Sequence, residues 1–254
     1  MTAKMIVAQL GPTIRRWAAI FILLLIAGAA SGADSAPLRI CLLSASAEYE
    51  SDKSLRDFQA WFESRYRAVC HQAFGKDKGD SLPGIAALES ADLMIVFTRR
   101  VTLPPAELAQ LQKYLAAGRP VIGLRTASHG FQNYPEFDGE ILGGGYKGHY
   151  TNAPAAIELS LGRSNHPVLA GVTPFTSRKL YKNPTLADDV VVLLNGVSLG
   201  NQEPVAWVRE RPRRVFATSL GTQEDFSEDN FRRLLVNAIF WTTQRDETEY
   251  RRAN

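Results

Sequence analysis

The chain has 254 residues, with 29 Lys and Arg against 26 Asp and Glu. The positive excess sits wholly in the first 33 residues, where Lys4, Arg15 and Arg16 meet no acid, so the other 221 residues carry 26 charges of each sign. That balance gives no support to nucleic-acid binding, which needs a basic patch, and the length suits one sizeable core rather than two full domains.

Residues 1–33 read as a secretory signal. Arg15 and Arg16 precede the apolar run "WAAIFILLLIAGAA" (17–30), and small residues follow. A stable membrane span wants about 20 residues, more than this run supplies. Cleavage after Ala33 would leave residues 34–254 as the mature, exported domain, with no further membrane association. An uncleaved amino-terminal anchor is the alternative, because Met5 to Leu10 is also apolar.

From Leu38 the chain alternates apolar runs with helical patterns. "LRICLLSA" predicts a buried strand, and "SDKSLRDFQAWFESRY" a helix with Leu55, Phe58, Phe62 and Tyr66 on one face and Ser51 or Asp52 as its cap. "YRAVC" predicts a second strand, "GIAALESA" a short helix and "DLMIVF" a third strand. "LPPAELAQLQKYLAAGRP" has proline at its start and glycine past its end, the marks of a helix, and "PVIGL" closes the series. This alternation predicts a mainly parallel sheet covered by helices on both faces. In the second half "AIELSL", "DVVVLLN", "PVAWVRE" and "RVFATSL" predict strands, extending the sheet by hairpins. A last helix, "EDNFRRLLVNAIFWTTQ", is followed by a tail expected to be solvated. Cys41 and Cys70 fall in two of the predicted strands. Buried free thiols are the simpler reading, and a disulfide requires the strands to be neighbours.

In open parallel sheets the ligand crevice lies beyond the carboxyl ends of the strands. That rule selects Glu48 and Tyr49 after the first strand, Arg100 after the third, and Arg125, Thr126, Ser128 and His129 after the fourth. A second polar stretch, "EILGGGYKGHYTN", adds Gly144, Gly145, Tyr146 and His149, either as a binding flap or as an ordinary long loop. It lacks the order of a phosphate-binding loop. Three chemistries compete for these residues. A serine hydrolase would need a distant base, because Ser128 and His129 are adjacent and neighbouring side chains diverge. A divalent metal could take His129 and His149 with a carboxylate such as Glu48. Acid–base work by a histidine and Glu48, with Arg125 holding an oxyanion, needs the fewest assumptions and predicts a titration limb between about pH 6 and 7.

The motifs "GRPVIGLRTASHGF", "GGGYKGHY", "NHPVLAGV", "KLYKNPTL", "EPVAWVRE" and "RVFATSLGTQEDF", in this order, resemble the trehalose-utilisation (ThuA-like) family across the whole mature chain. The resemblance implies a class I glutamine amidotransferase-like fold, a flavodoxin-like three-layer sandwich. It also implies that Arg125, or a residue beside it, stands where true amidotransferases hold their nucleophilic cysteine. Thr222 stands where many members carry a histidine. Both departures predict no glutaminase activity. The family's association with glucose disaccharides and their keto derivatives implies a small carbohydrate ligand, bound by an enzyme or by a non-catalytic accessory module. No cofactor is expected apart from the metal alternative, and a homo-oligomer is compatible with the sequence.

Overall fold

The computed structural model describes residues 36–253; the expected signal lies outside them. Strand β1 (Leu38–Ala45) pairs in parallel with β2 (Ala68–Phe74) on one side and β3 (Leu93–Thr98) on the other. Next come β4 (Val121–Leu124) and then β9 (Val215–Thr218), both parallel to the rest. β3, β4 and β9 are buried at every residue, which explains why they read as unbroken apolar runs. The order β2-β1-β3-β4-β9 is the flavodoxin-like one, and it reverses between β1 and β3.

Beyond β9 the sheet continues through β8 (Asn201–Arg209), β7 (Val191–Ser198), β5 (Pro154–Leu159) and β6 (Phe175–Arg178), with every pairing antiparallel. The sheet is therefore mixed half and half rather than mainly parallel. A two-residue turn, Leu199 (φ 48°) and Gly200 (φ 77°), folds β7 directly onto β8, and two positive φ angles match the twist a tight hairpin needs. Strand β6 falls in an expected connection, since "FTSR" carries no apolar alternation of its own.

The helices α1 (Ser51–Glu63), α2 (Pro105–Ala116) and α3 (Asp229–Thr243) lie close to their predicted places. "GIAALESA" forms only a 3-10 turn, Ile85–Glu89. Successive residues of β1 divide between two core clusters. Ile40 and Leu42 join Leu55, Phe58 and Phe62 of α1 and Leu234 and Leu235 of α3, while Cys41 and Leu43 join Leu111, Tyr114 and Leu115 of α2. The cysteines obey the same alternation. Ile40 stands opposite Cys70 in the β1–β2 ladder, so Cys41 and Cys70 belong to opposite clusters and remain free thiols. Burial pushes the Cys41 thiol up to about 12 and raises Cys70 as well, so neither supplies a thiolate.

Two local expectations change. The cap of α1 is Glu50, at φ 42°, while the Ser51 hydroxyl is engaged by the Ser46 amide at 2.8 Å and by Ser44 Oγ at 2.7 Å. The carboxyl-terminal tail is docked rather than solvated. Tyr250 in the short helix α4 (Glu247–Tyr250) is 3% exposed, its carbonyl accepts the Arg67 amide at 2.7 Å, and Tyr66 donates to Glu247 at 2.7 Å.

Candidate functional site

Where β4 ends, the chain bends into a 3-10 turn, Arg125–His129, and the bend falls on Arg125 itself at φ 45°. Its guanidinium does not open to solvent. Arg125 is 2% exposed, and lies over the Tyr49 ring at 4.4 Å and the Tyr181 ring at 4.6 Å. It donates to the carbonyls of Ser219 and, at 3.0 Å, Lys179. The expected oxyanion holder is thus a buried post joining the β4, β6 and β9 ends. Thr126 is wholly buried behind it.

Both histidines gather around Tyr181. The His129 ring stacks on Tyr146 at 4.5 Å and lies 6.3 Å from Tyr181, and His149 lies 6.3 Å from the same ring. Ser128 Oγ and His129 Nδ1 are 3.0 Å apart, contrary to the expectation that adjacent side chains diverge. Nδ1 is the nitrogen nearer the main chain, and a tight turn brings the preceding hydroxyl within its reach. Burial, reinforced by the charges of Arg100 and Arg99, pulls His129 down to about 4, so the imidazole is neutral at physiological pH. The near-neutral limb expected of a histidine base does not belong to His129. Exposed His149 places Nδ1 at 2.9 Å from the Tyr150 carbonyl; Nδ1–H donates to it and Nε2 is left as acceptor.

The reversal point between β1 and β3 holds Glu48. Its carboxylate pairs with Lys179 and, at 3.7 Å, with Arg99 Nε, rather than with a histidine. Partial burial would raise Glu48, but the hydrogen bond and charge of Lys179, with Arg99, bring it below its ordinary range. A carboxylate held so firmly as an anion is a poor base. Above it opens a groove of about 430 Å³ lined by Glu48, Tyr49, Arg178, Lys179, Thr222 and Glu224. Arg100 is exposed nearby, at φ 51°, with its amide on the His129 carbonyl at 2.8 Å.

The glycine-rich loop is shaped by Asp138 rather than by open space for a ligand. A Cβ on Gly144 would stand 2.2 Å from Asp138 Oδ1, and one on Gly145 would stand 2.1 Å from the Thr185 carbonyl. Asp138 Oδ2 accepts the Tyr146 amide at 3.0 Å, which ties the loop down. Burial raises the Asp138 carboxyl to about 6, against the lowering effects of the Tyr146 amide and Lys147. Asp138 also lines a narrow cavity shared with Arg125, Ser128, Tyr181 and Asn183.

Asp138, Lys179 and Tyr181 are the functional candidates missed in the sequence. Lys179 and Tyr181 lie in "KLYKNPTL", a motif that carried the family resemblance, but no apolar strand ahead of it marked it as a site. Among the described residues no three His, Cys, Asp or Glu side chains are grouped to hold a metal ion. His129 and His149 direct Nδ1 to protein oxygens, which leaves Nε2 of each open to a ligand, while Glu48 is held by Lys179 and Arg99.

A five-strand parallel sheet in flavodoxin-like order, extended by antiparallel strands and carrying polar loops at its carboxyl edge, defines an α/β protein of flavodoxin-like build. Residues 42–242 match the model of the family described as "ThuA: Trehalose utilisation", and the chain belongs to that family. Similar solved structures include a ThuA-like protein from Bacteroides uniformis, 18% identical with TM-score 0.63 over 87% of this chain and 98% of that one. Another from Parabacteroides merdae is 16% identical, with TM-score 0.62 over 82% and 90% of the two chains. A β-galactosidase from Rahnella sp. R3 is 11% identical with TM-score 0.50, covering 92% of this chain but 35% of its own. These likenesses speak to fold. Curated proteins yield no match.

Proposed function

We propose that the carboxyl edge of the sheet binds a small carbohydrate, a glucose-type disaccharide or its keto derivative, in an exported protein whose mature domain is residues 34–254. One observation carries the reading: strained backbone and buried polar atoms collect at this one edge. Glu50, Arg100, Arg125 and Lys179 all hold left-handed φ angles of 42° to 57° there, each at a cost of about 1 kcal/mol or more. Ser46 Oγ, Thr98 Oγ1, Arg125 Nε, Thr126 Oγ1 and Asp138 Oδ1 are buried there with no partner among the described residues. Tyrosine rings beside hydroxyl, amide and charged groups suit a sugar, whose carbon–hydrogen faces lie on rings while its hydroxyls exchange hydrogen bonds. Membership of a trehalose-utilisation family supports the same ligand class. The two core clusters fit the three-layer arrangement of a flavodoxin-like domain.

In this reading His149 Nε2 accepts a proton from the ligand, and neutral His129 forms a hydrogen bond without carrying charge. Arg125 positions Tyr49 and Tyr181 rather than touching the ligand. A non-catalytic sugar-binding module is the second reading, favoured by the cation-locked state of Glu48. Thermal shift and calorimetry of the full chain against trehalose, other glucose disaccharides and their keto derivatives provide the test. We expect binding that weakens at least about tenfold in Tyr146→Ala, the scale of one lost ring contact. Absence of any sugar response would overturn the carbohydrate reading. Binding with no turnover, indifferent to His149→Ala, would select the module.

A further inference from the structure

The opposite edge of the sheet carries a second cleft, of about 460 Å³, independent of the sugar reading. It is lined by residues that immediately precede or begin the parallel strands: Arg39 at β1, Asp92 before β3, Arg119 before β4, and Arg213 and Arg214 before β9, with Arg245 from beyond α3. Five arginines therefore meet three acids in this cleft, Glu89, Asp92 and Glu210, although the chain from residue 34 onward is neutral as a whole.

Three of the guanidiniums are fixed through one nitrogen each. Arg119 Nη1 donates to the Leu88 and Glu89 carbonyls, both at 2.9 Å, Arg213 Nη2 to the Leu115 carbonyl, and Arg214 Nη1 to the Trp241 carbonyl at 2.8 Å. Arg214 is further held over the Trp241 ring at 4.8 Å. Their other nitrogens have no partner among the described residues, and Arg213 Nε is both buried and unpartnered. Asp92 engages only Arg39, at 3.4 Å, and Glu89 pairs outward with Lys113 at 3.7 Å. The Arg245 side chain pairs with nothing described. Guanidiniums held in place with unused donors are preorganised for planar or tetrahedral oxyanions, because little rotamer freedom remains to be lost on binding.

We propose that this cleft binds a small oligoanion carrying at least two phosphate or carboxylate groups. The five arginines of the lining offer more donors than one oxyanion can accept, so two linked anionic groups engage more of them than a single group does.

The test is calorimetry of the full chain at low ionic strength, where such contacts are least screened, with pyrophosphate, orthophosphate and malonate as probes. Pyrophosphate or malonate should bind at least about tenfold more tightly than orthophosphate, and the better of the two identifies the group class. The double substitution Arg119→Gln with Arg213→Gln should weaken that probe at least about tenfold. Because those side chains also hold helix-end carbonyls, Arg39→Gln with Arg245→Gln, both exposed, serves as the fold-neutral variant and should weaken it by about threefold or more. Arg178→Gln, at the opposite edge, should leave the affinity for that anion probe unchanged. Equal affinity for all three probes, or full affinity in the Arg39, Arg245 variant, would overturn the proposal, and neither result bears on sugar binding.

Discussion

The turn after β4 and the loop at residues 143–150 look alike in sequence, each a histidine among small and polar residues, yet they are built in opposite ways. Arg125 is sealed under Tyr49 and Tyr181 with Thr126 buried beside it, whereas His149 is exposed and its loop rests on a buried carboxylate, Asp138, and on backbone pairing with residues 180–187. The first region is a floor fixed by burial and by the contacts of Arg125 with two rings and two carbonyls. The second is a rim pinned by backbone pairing to residues 180–187 and by one titratable group, Asp138. Polarity in a sequence marks the edge of a sheet, but only burial distinguishes a residue that builds the site from one that meets the ligand.

Arg125→Ala should produce the largest effect, a loss of about 3 to 5 kcal/mol in unfolding free energy, since it strands buried carbonyls and empties the space between two rings. Chemical denaturation measures it. An unchanged midpoint would show that Arg125 belongs to the rim. Gly144→Ala comes next, at about 2 to 3 kcal/mol, because the new Cβ drives Asp138 off the Tyr146 amide. Normal stability there would mean that Asp138 does not anchor the loop.

The third prediction concerns pH. Asp138, raised to about 6, makes the folded state bind the extra proton between its unfolded value near 3.8 and 6, so its contribution falls as pH rises through that window. His129, lowered to about 4, acts in the other direction: its stabilising contribution is complete above 6.5 and is lost as pH falls toward 4. The two slopes oppose each other in the parent protein. Asp138→Asn should stabilise the fold by about 1 to 3 kcal/mol at pH 7.5 and expose a steep loss of stability below pH 6.5. His129→Gln should leave the reverse slope. Flat curves for both variants would remove the electrostatic account of floor and rim.

The smallest structural effect belongs to His149→Ala, within about 0.5 kcal/mol of the parent. That change should nevertheless lower turnover of a keto sugar by about 100-fold if the imidazole accepts the proton. Unaltered turnover would move proton transfer to Asp138.

Most strands and helices were legible because burial on two faces or one imposes apolar runs or a 3.6-residue period, as in "DLMIVF" and "NFRRLLVNAIF". The edge on which a site would form was legible too, since parallel topology sends loops such as Glu48–Tyr49 and Arg125–His129 to one side. Less visible were β6, a short edge strand without alternation, and the docked tail, whose Glu247 and Tyr250 find their partners, Tyr66 and Arg67, about 180 residues away.

By itself the sequence determined the order of most elements, the flavodoxin-like half of the sheet, the family and the lack of a cysteine in the turn at residues 125–129, because these depend on local pattern and residue identity. Tertiary structure alone decided that Arg125 is buried between Tyr49 and Tyr181, that Glu48 pairs with Lys179 and Arg99, and that Asp138 accepts the Tyr146 amide of the glycine loop. It also separated Cys41 from Cys70. The physical reason is the same in each case: a side chain's charge state and partners are set by burial and by neighbours brought from distant segments, and neither is written in the residues beside it.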